Sequence, residues 1–377
     1  LKGKNNFKKK GKCFFVSSTF RISAEQGRAR AGFLKTAHGR IETPFFMPVA
    51  TKGAVKLVSN QELEGAGTQC IICNAYIFSA RPGTEIASKA GGIHRFIGWN
   101  KGIFTDSGGF QTLSESFLIR ANEKGVHFRN PFDQSPSFLS PEKAVEIQNA
   151  LGSDVAMCLD DVPVHGSTLQ RLKESAERTT RWAERCRESH KNKKQLLFGI
   201  CQGGFDKKMR EKSSREIAAL DFDGNALGGL CIGENAKQRL EMIRAANAVF
   251  PREKPRYLMG VGSPSDIIEA IALGVDVFDS CFPARIARHR TAITRKGGIN
   301  LESGKFREDF SPIEEKCGCF TCRNHSRAFL HHLVKTKEEN GLRLLSIHNI
   351  SIVQQIVKEA RLAIKEGGFE RLRKEFA

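Results

Sequence analysis

From Phe45 onward, short apolar runs alternate with longer charged segments whose apolar positions recur at helical spacing. The runs are FFMPVA, QCIICN, GIFTDS, DVAMCLD, LLFGIC, GNALGGL, RYLMGV and VDVFDS. Eight such runs are what a closed (β/α)8 barrel needs, and their unbroken apolarity fits strands covered on both faces. Between them, Ser140-Pro141-Glu142 supplies an N-cap, a first-turn proline and an acid at the positive end of a helix. Segments around 168–190, 206–220, 234–249 and 263–273 share the amphipathic spacing. Ahead of the barrel, the alternation from Phe14 to Leu34 predicts a hairpin or short antiparallel cover. After Arg290 the rhythm stops, and from about Asn349 an amphipathic stretch predicts a last barrel helix displaced by an insertion. The expected division is a basic tail over 1–12, the covered barrel over 13–290, a metal-binding subdomain over 291–348 and a closing helix over 349–377.

Polar residues fall where those runs end. Asp106, Asp160, Asp161, Gln202, Gly228, Gly229 and Asp279 each follow an apolar run. A barrel gathers the carboxyl ends of its strands around one mouth, so residues far apart in sequence converge there. Each has a plainer reading when taken alone. An acid such as Asp279, placed before the turn at Phe282-Pro283, most commonly caps the next segment. Asp106 to Gln111 reads equally as a tight turn, Asp160-Asp161 as a solvated pair or helix start, and Met259 as core. Their convergence favours a site. Glycines beside Asp106 let a flat ligand approach the backbone and Phe110 offers a ring to stack on it, while a carboxylate with Gln202 matches the edge of a guanine-like base.

The chain has 377 residues, 60 Lys and Arg against 41 Asp and Glu, and a formal charge of +19. Such an excess points to nucleic acid or an anionic membrane. The arginines Arg285, Arg288, Arg290 and Arg295, clustered after Asp279, suit a phosphate-bearing substrate. No apolar run approaches the roughly 18 residues of a membrane span, and no signal-type stretch follows the lysine-rich start, so a cytoplasmic protein is expected. Most cysteines sit in apolar runs as small hydrophobes of a reducing compartment. Cys317, Cys319 and Cys322 form C-x-C-x-x-C in a charged region, which reads as a structural zinc knuckle. Spacing leaves the fourth ligand open among His325, His331, His332 and His348.

Together, TPFFMPVAT, TDSGGFQ, ICQGG, ALGGL, YLMGVGSP, FDSCFPAR and the C-x-C-x-x-C resemble the queuine tRNA-ribosyltransferases of bacterial type, or tRNA-guanine transglycosylases, in that family's order from about Thr43 to His348. The resemblance implies an irregular TIM barrel with an inserted zinc-binding subdomain near the C-terminus. It implies exchange of guanine at the tRNA wobble position for a 7-deazaguanine, with Asp279 as nucleophile and Asp106 as general acid/base. The zinc ligands would be Cys317, Cys319, Cys322 and His348. Ser107, Asp160, Gln202, Gly229 and Leu230 would hold the base, with Phe110 and Met259 on its faces. Gly260, Val261, Gly262, Ser263, Pro264, Ser265 and Asp266, and then Ala284, Arg285, Ile286, Ala287 and Arg288, match segments that contact tRNA. The expected incoming base is preQ1. Asp160-Asp161-Val162 is more similar to members that use queuine, and the bulky Ile232 is unlike them. Family members are often homodimers, so a homodimer is expected. A non-catalytic tRNA-binding subunit and a zinc hydrolase are the competing classes; retention of both Asp106 and Asp279 argues against the first.

Overall fold

The computed structural model describes residues 19–108, 118–231, 233 and 235–376. It opens with an antiparallel sheet of β1 (Phe20–Gln26), β2 (Ala29–Thr36) and β3 (Gly39–Thr43). All eight apolar runs are strands of one parallel sheet: β4 (Phe45–Pro48), β5 (Cys70–Asn74), β6 (Gly102–Asp106), then β10 (Val155–Met157), β11 (Leu196–Cys201), β12 (Gly224–Leu227), β13 (Arg256–Leu258) and β14 (Val277–Ser280). The order β4-β14-β13-β12-β11-β10-β6-β5 leaves β4 and β5 at the ends. These meet through a parallel bridge between Val49 and Ile72 and a 2.8 Å bond from Ala50 N–H to the Ile72 carbonyl, which curls the sheet into a nearly closed barrel.

Strand alternation sorts the side chains into two cores. Phe45, Met47, Ile72, Phe104, Met157, Phe198, Ile200, Tyr257 and Val277 fill the lumen. Their neighbours Phe46, Ile71, Ile103, Leu197, Leu258 and Phe278 face the helices. Phe20, Leu34 and Ile41 of the first sheet join the lumen cluster, so that sheet covers the amino end of the barrel. The helices Pro141–Leu151, Leu169–Ser189, Lys207–Ala219, Ala236–Asn247 and Pro264–Ala272 lie where the spacing predicts them. Ser140, Thr168, Asp206, Asn235 and Ser263 each cap one through a side-chain oxygen.

Between β6 and β10 the chain inserts a second antiparallel sheet, β7 (Leu118–Asn122), β8 (Gly125–Arg129) and β9 (Pro136–Leu139), which the barrel rhythm does not reveal. After the barrel come a hairpin of β15 (Thr291–Thr294) and β16 (Gly297–Asn300), two short helices at Phe320–Asn324 and Arg327–Lys335, and one 28-residue helix, Glu339–Glu366. The last overrides the expected start at Asn349. Its apolar face is continuous: Leu344 and Leu345 pack into the small C-terminal core, while Ile347, Ile350, Val353 and Ile356 pack on the barrel. Gln354 Nε2 and Arg361 Nη1 donate to the carbonyls of Phe46 and Pro44, at 3.0 and 2.7 Å. One rigid element therefore joins the two cores. Among the described residues, no helix is long and apolar enough to cross a membrane.

Candidate active site

The carboxyl ends of the strands surround a cleft of about 370 Å³ lined by Asp106, Asp160, Gly229, Leu230, Met259, Asp279 and Arg285, with Val49, Thr51, Val162 and Tyr257 among the remaining walls. Period-2 alternation explains the convergence. Asp106 follows Phe104, Gln202 follows Ile200, Met259 follows Tyr257 and Asp279 follows Val277, each on the lumen face of its strand. The polar residues thus form the uppermost layer over an apolar lumen.

Asp279 does not cap the following helix, whose N-cap is Cys281 with no side-chain bond. Its Oδ1 accepts from the Tyr257 hydroxyl at 2.7 Å and from Gly260 N–H at 2.8 Å. Burial raises its carboxyl above the ordinary range, and these two donors oppose the rise. Asp106 ends β6 in a tight turn, accepting from Gly108 N–H at 2.9 Å. Gly108 has φ +85°, and a Cβ there would meet Tyr76 Cβ at 2.3 Å, so this turn demands glycine. Burial pushes Asp106 up to about 7 against the donors of Gly108 and Asn74, with Asp279 and Asp160 adding to the rise. Asn74 lies beside it in register and also caps the helix Ala75–Ala80.

Asp160 and Asp161 are both buried, which excludes a solvated pair. Burial lifts Asp160 to about 7, with Asp161 adding to the rise and the Gln202 donor opposing it. Gln202 Nε2 donates to Asp160 Oδ2 at 2.7 Å, while its buried Oε1 has no partner among the described residues. A Cβ at Gly228 would lie 2.3 Å from Gln202 Nε2 and 3.2 Å from Asp160 Oδ2, so the floor of the pocket requires glycine. The carboxylate of Asp161 turns away from the cleft into an arginine clamp. Arg171 donates to both of its oxygens, at 2.8 and 2.5 Å, and Arg178 donates to Oδ2. Beneath Gln202, the fully buried guanidinium of Arg210 donates to the carbonyls of Cys201, Gly204 and Gly228 at 2.9, 3.0 and 3.0 Å.

Ser107 is buried beside Asp106, whereas Phe110 and Ile232 lie outside the described residues. Of the segments matched to tRNA contact, Gly260, Ser265 and Arg285 are exposed, and Ser263, Pro264, Ile286 and Arg288 partly so. Val261, Gly262, Ala284 and Ala287 are buried. Asp266 is bound to Arg239 and accepts from the Ser263 hydroxyl at 2.6 Å. Tyr257 and Asn74 were not expected as site residues. The alternation of RYLMG, which puts Tyr257 on the face of Met259, is the signal that could have found Tyr257.

Cys317, Cys319, Cys322 and His348 bring one ligand atom each within 4.8 Å of one another. The three Sγ atoms lie 3.8, 3.6 and 3.3 Å from His348 Nδ1. The edge of a tetrahedral site with zinc-type bond lengths is roughly 3.6 Å, so the donor set fits such an ion. His348 Nε2 lies 2.7 Å from the Ile293 carbonyl, which can only accept; the proton is therefore on Nε2 and the Nδ1 lone pair is free for a metal. His331 instead faces the Leu301 carbonyl at 2.7 Å. None of the four ligands lines the cleft. A second cluster, His38, His94 and Asp154, has each carboxylate oxygen already taken by a backbone N–H and a ring nitrogen.

A parallel barrel with carboxylates of contrasting environment at its carboxyl mouth, and a Cys3His cluster that could hold a metal ion set outside that mouth, is the architecture of a barrel enzyme. Family comparison gives this class its name. The family model "Queuine tRNA-ribosyltransferase" matches residues 25–377. Queuine tRNA-ribosyltransferase of Pelotomaculum thermopropionicum is 45% identical over 361 residues, 96% of this chain and 98% of that protein. Those of Geobacillus kaustophilus and Fusobacterium nucleatum are 45% and 44% identical, covering 94% and 95% of the chain and 93% and 97% of theirs. The chain belongs to the queuine tRNA-ribosyltransferase family and is a pentosyltransferase.

Proposed function

We propose that this enzyme exchanges the wobble guanine of tRNA for the 7-deazaguanine preQ1 through a covalent enzyme–tRNA intermediate, with Asp279 as nucleophile and Asp106 as general acid and then base. The observation that carries this reading is the placement of Asp279 and Asp106 in one cleft in different settings, one fixed by two donors on a single oxygen and the other tuned to about 7. Asp279 attacks the anomeric carbon and the bond to N9 breaks. The departing electron pair is taken up on guanine N9, which receives the proton of Asp106. In the second displacement ionised Asp106 takes the N9 proton of the incoming base. That base attacks the same carbon, and the bond to Asp279 returns its electron pair to the carboxylate.

Asp160, Oε1 of Gln202 and the backbone around Gly229 and Leu230 receive the base edge, with Ser107 beside them and Met259 and Phe110 on its faces. The wobble nucleotide must leave its stack to enter the cleft. Arg285 and Arg288 meet the phosphates, helped by the +19 charge. The metal is one Zn2+ that cross-links the C-terminal subdomain and takes no part in the chemistry. A cytoplasmic location and a homodimeric assembly are the expected setting of this enzyme. Val162 in the cleft wall favours queuine as a second candidate for the incoming base.

Labelled guanine in the wobble position, with preQ1 and queuine offered separately, tests the reading. Release with preQ1 supports it, and release with queuine alone moves the substrate to the second candidate. Tight tRNA binding with release by neither base would overturn it in favour of a non-catalytic subunit.

A further inference from the structure

Packing does not explain why position 257 is a tyrosine. Its ring lies in the lumen layer directly below the acids, 5.9 Å from the Phe104 ring in an edge contact, and Phe104 meets Phe198 in the same way at 5.5 Å. The two phenylalanines fill that layer with no polar atom. A buried hydroxyl is costly unless bonded. At Tyr257 the hydroxyl is carried one layer upward, because Tyr257 pairs with Val277 in register and Asp279 stands two residues further along the same face. It ends 2.7 Å from Asp279 Oδ1, the oxygen that also accepts from Gly260 N–H at 2.8 Å. Burial and the neighbouring carboxylate both hold the phenol far above its usual pKa, so it stays protonated and donates.

Resting on the reading of Asp279 as nucleophile, we propose that Tyr257 is a positioning residue that, with Gly260 N–H, occupies Oδ1 of Asp279 and so reserves Oδ2 for the anomeric carbon. The arrangement serves both displacements. In the first, two donors fix the rotation of the carboxylate and keep it ionised inside a desolvated cleft. Once Oδ2 is bonded to the sugar, Oδ1 is the carbonyl oxygen of the resulting ester. The same donors then stabilise the charge that returns to it as the C–O bond breaks. No proton is transferred by Tyr257 in either step.

The test is Tyr257→Phe, which keeps the ring and removes the donor. Single-turnover adduct formation and steady-state exchange are followed across pH on the full chain with wobble-guanine tRNA. The expected result is a kcat lower by roughly 10- to 100-fold with KM for tRNA unchanged. The acid limb of the pH profile moves to higher pH, because a carboxylate that loses a donor protonates more readily. A purely structural role would lower stability or tRNA affinity without moving that limb. Wild-type kcat and an unmoved limb, or a loss confined to KM, would overturn the inference. Should Tyr257→Phe fold poorly, 3-fluorotyrosine gives a second measurement, since the chain has only two tyrosines, Tyr76 and Tyr257. With Tyr76→Phe used to assign the signal, the fluorine resonance of Tyr257 is expected to respond to Asp279→Asn, and an unchanged resonance counts against the contact. Asp279→Asn also separates the two claims. An adduct formed by that variant sinks the proposed mechanism itself; its absence together with a wild-type-like Tyr257→Phe sinks only the role of Tyr257.

Discussion

The guanidinium of Arg30 in β2 grips the carboxylate of Asp276, immediately before β14, through Nε to Oδ1 at 2.8 Å and Nη2 to Oδ2 at 2.5 Å, with both side chains buried. The remaining Arg30 donors reach the carbonyls of Arg252 and Lys254 at 2.7 and 2.8 Å, and Asp276 also accepts from Arg256 N–H at 2.7 Å. The pair thus ties the cover sheet to the foot of the strand that carries Asp279. Arg30→Met strands a buried carboxylate and is expected to cost about 3–5 kcal/mol in denaturant unfolding. Arg30→Met with Asp276→Leu is expected to recover much of that loss. A double variant as unstable as the single one would show that the pair contributes more than mutual compensation.

The Cys317, Cys319, Cys322 and His348 cluster joins the C-terminal core to the long helix that also packs on the barrel. Elemental analysis is expected to find one zinc per chain. Cys319→Ala, or removal of the metal by a chelator, is expected to cost on the order of 5 kcal/mol. Exchange activity should fall only in proportion to the folded fraction. Activity lost from a fully folded, metal-free chain would instead assign the ion a chemical role.

At the amino end of the barrel, Asp154 accepts from His94 Nε2 and His38 Nδ1, both at 3.0 Å, and from Ile103 N–H at 2.9 Å. Burial alone would raise its carboxyl, but these donors together hold it down at about 2. A depressed folded pKa gives stability that is complete above the unfolded value and lost as pH falls toward 2. Asp154→Asn is expected to lose ~2 kcal/mol at neutral pH and to flatten the acid arm of the thermal midpoint. An arm as steep as the wild type's would place the acid sensitivity elsewhere.

The barrel was legible because strands buried on both faces must be continuously apolar, and the acids were legible because each stood at the end of such a run. Asp279 illustrates the limit. Its local sequence favours a cap, and only the register between β13 and β14 shows that its oxygen is held by Tyr257 and Gly260. Tyr257 itself reads as core, since an aromatic inside a strand declares nothing about its hydroxyl. His348 could not be chosen over its neighbours by spacing, because a distant helix presents it to the thiols. The sheet β7 to β9 stayed hidden for another reason: its strands are short and interrupted by polar residues such as Arg120, Asn122 and His127.

Asp106 brings stability and function into direct conflict. Its carboxyl is raised to about 7 by burial, so the folded state binds a proton more tightly than the unfolded chain does. A raised folded pKa means stability that is complete below the unfolded value of 3.8 and is lost as pH climbs through about 7. Asp106→Asn, which keeps an oxygen for Gly108 N–H, is therefore expected to unfold like the wild type near pH 4 and to be more stable by roughly 4 kcal/mol at pH 8. Guanine release should be nearly abolished in the same variant. On the proposed mechanism the first displacement in the wild type needs the protonated form, so single-turnover release of guanine is expected to decline above about pH 7. The second needs the ionised form, so capture of the incoming base by preformed adduct should decline below it. Opposite limbs for the two half-reactions, measured separately by quench-flow, are the signature of one carboxyl serving both; parallel limbs would assign acid and base to different groups.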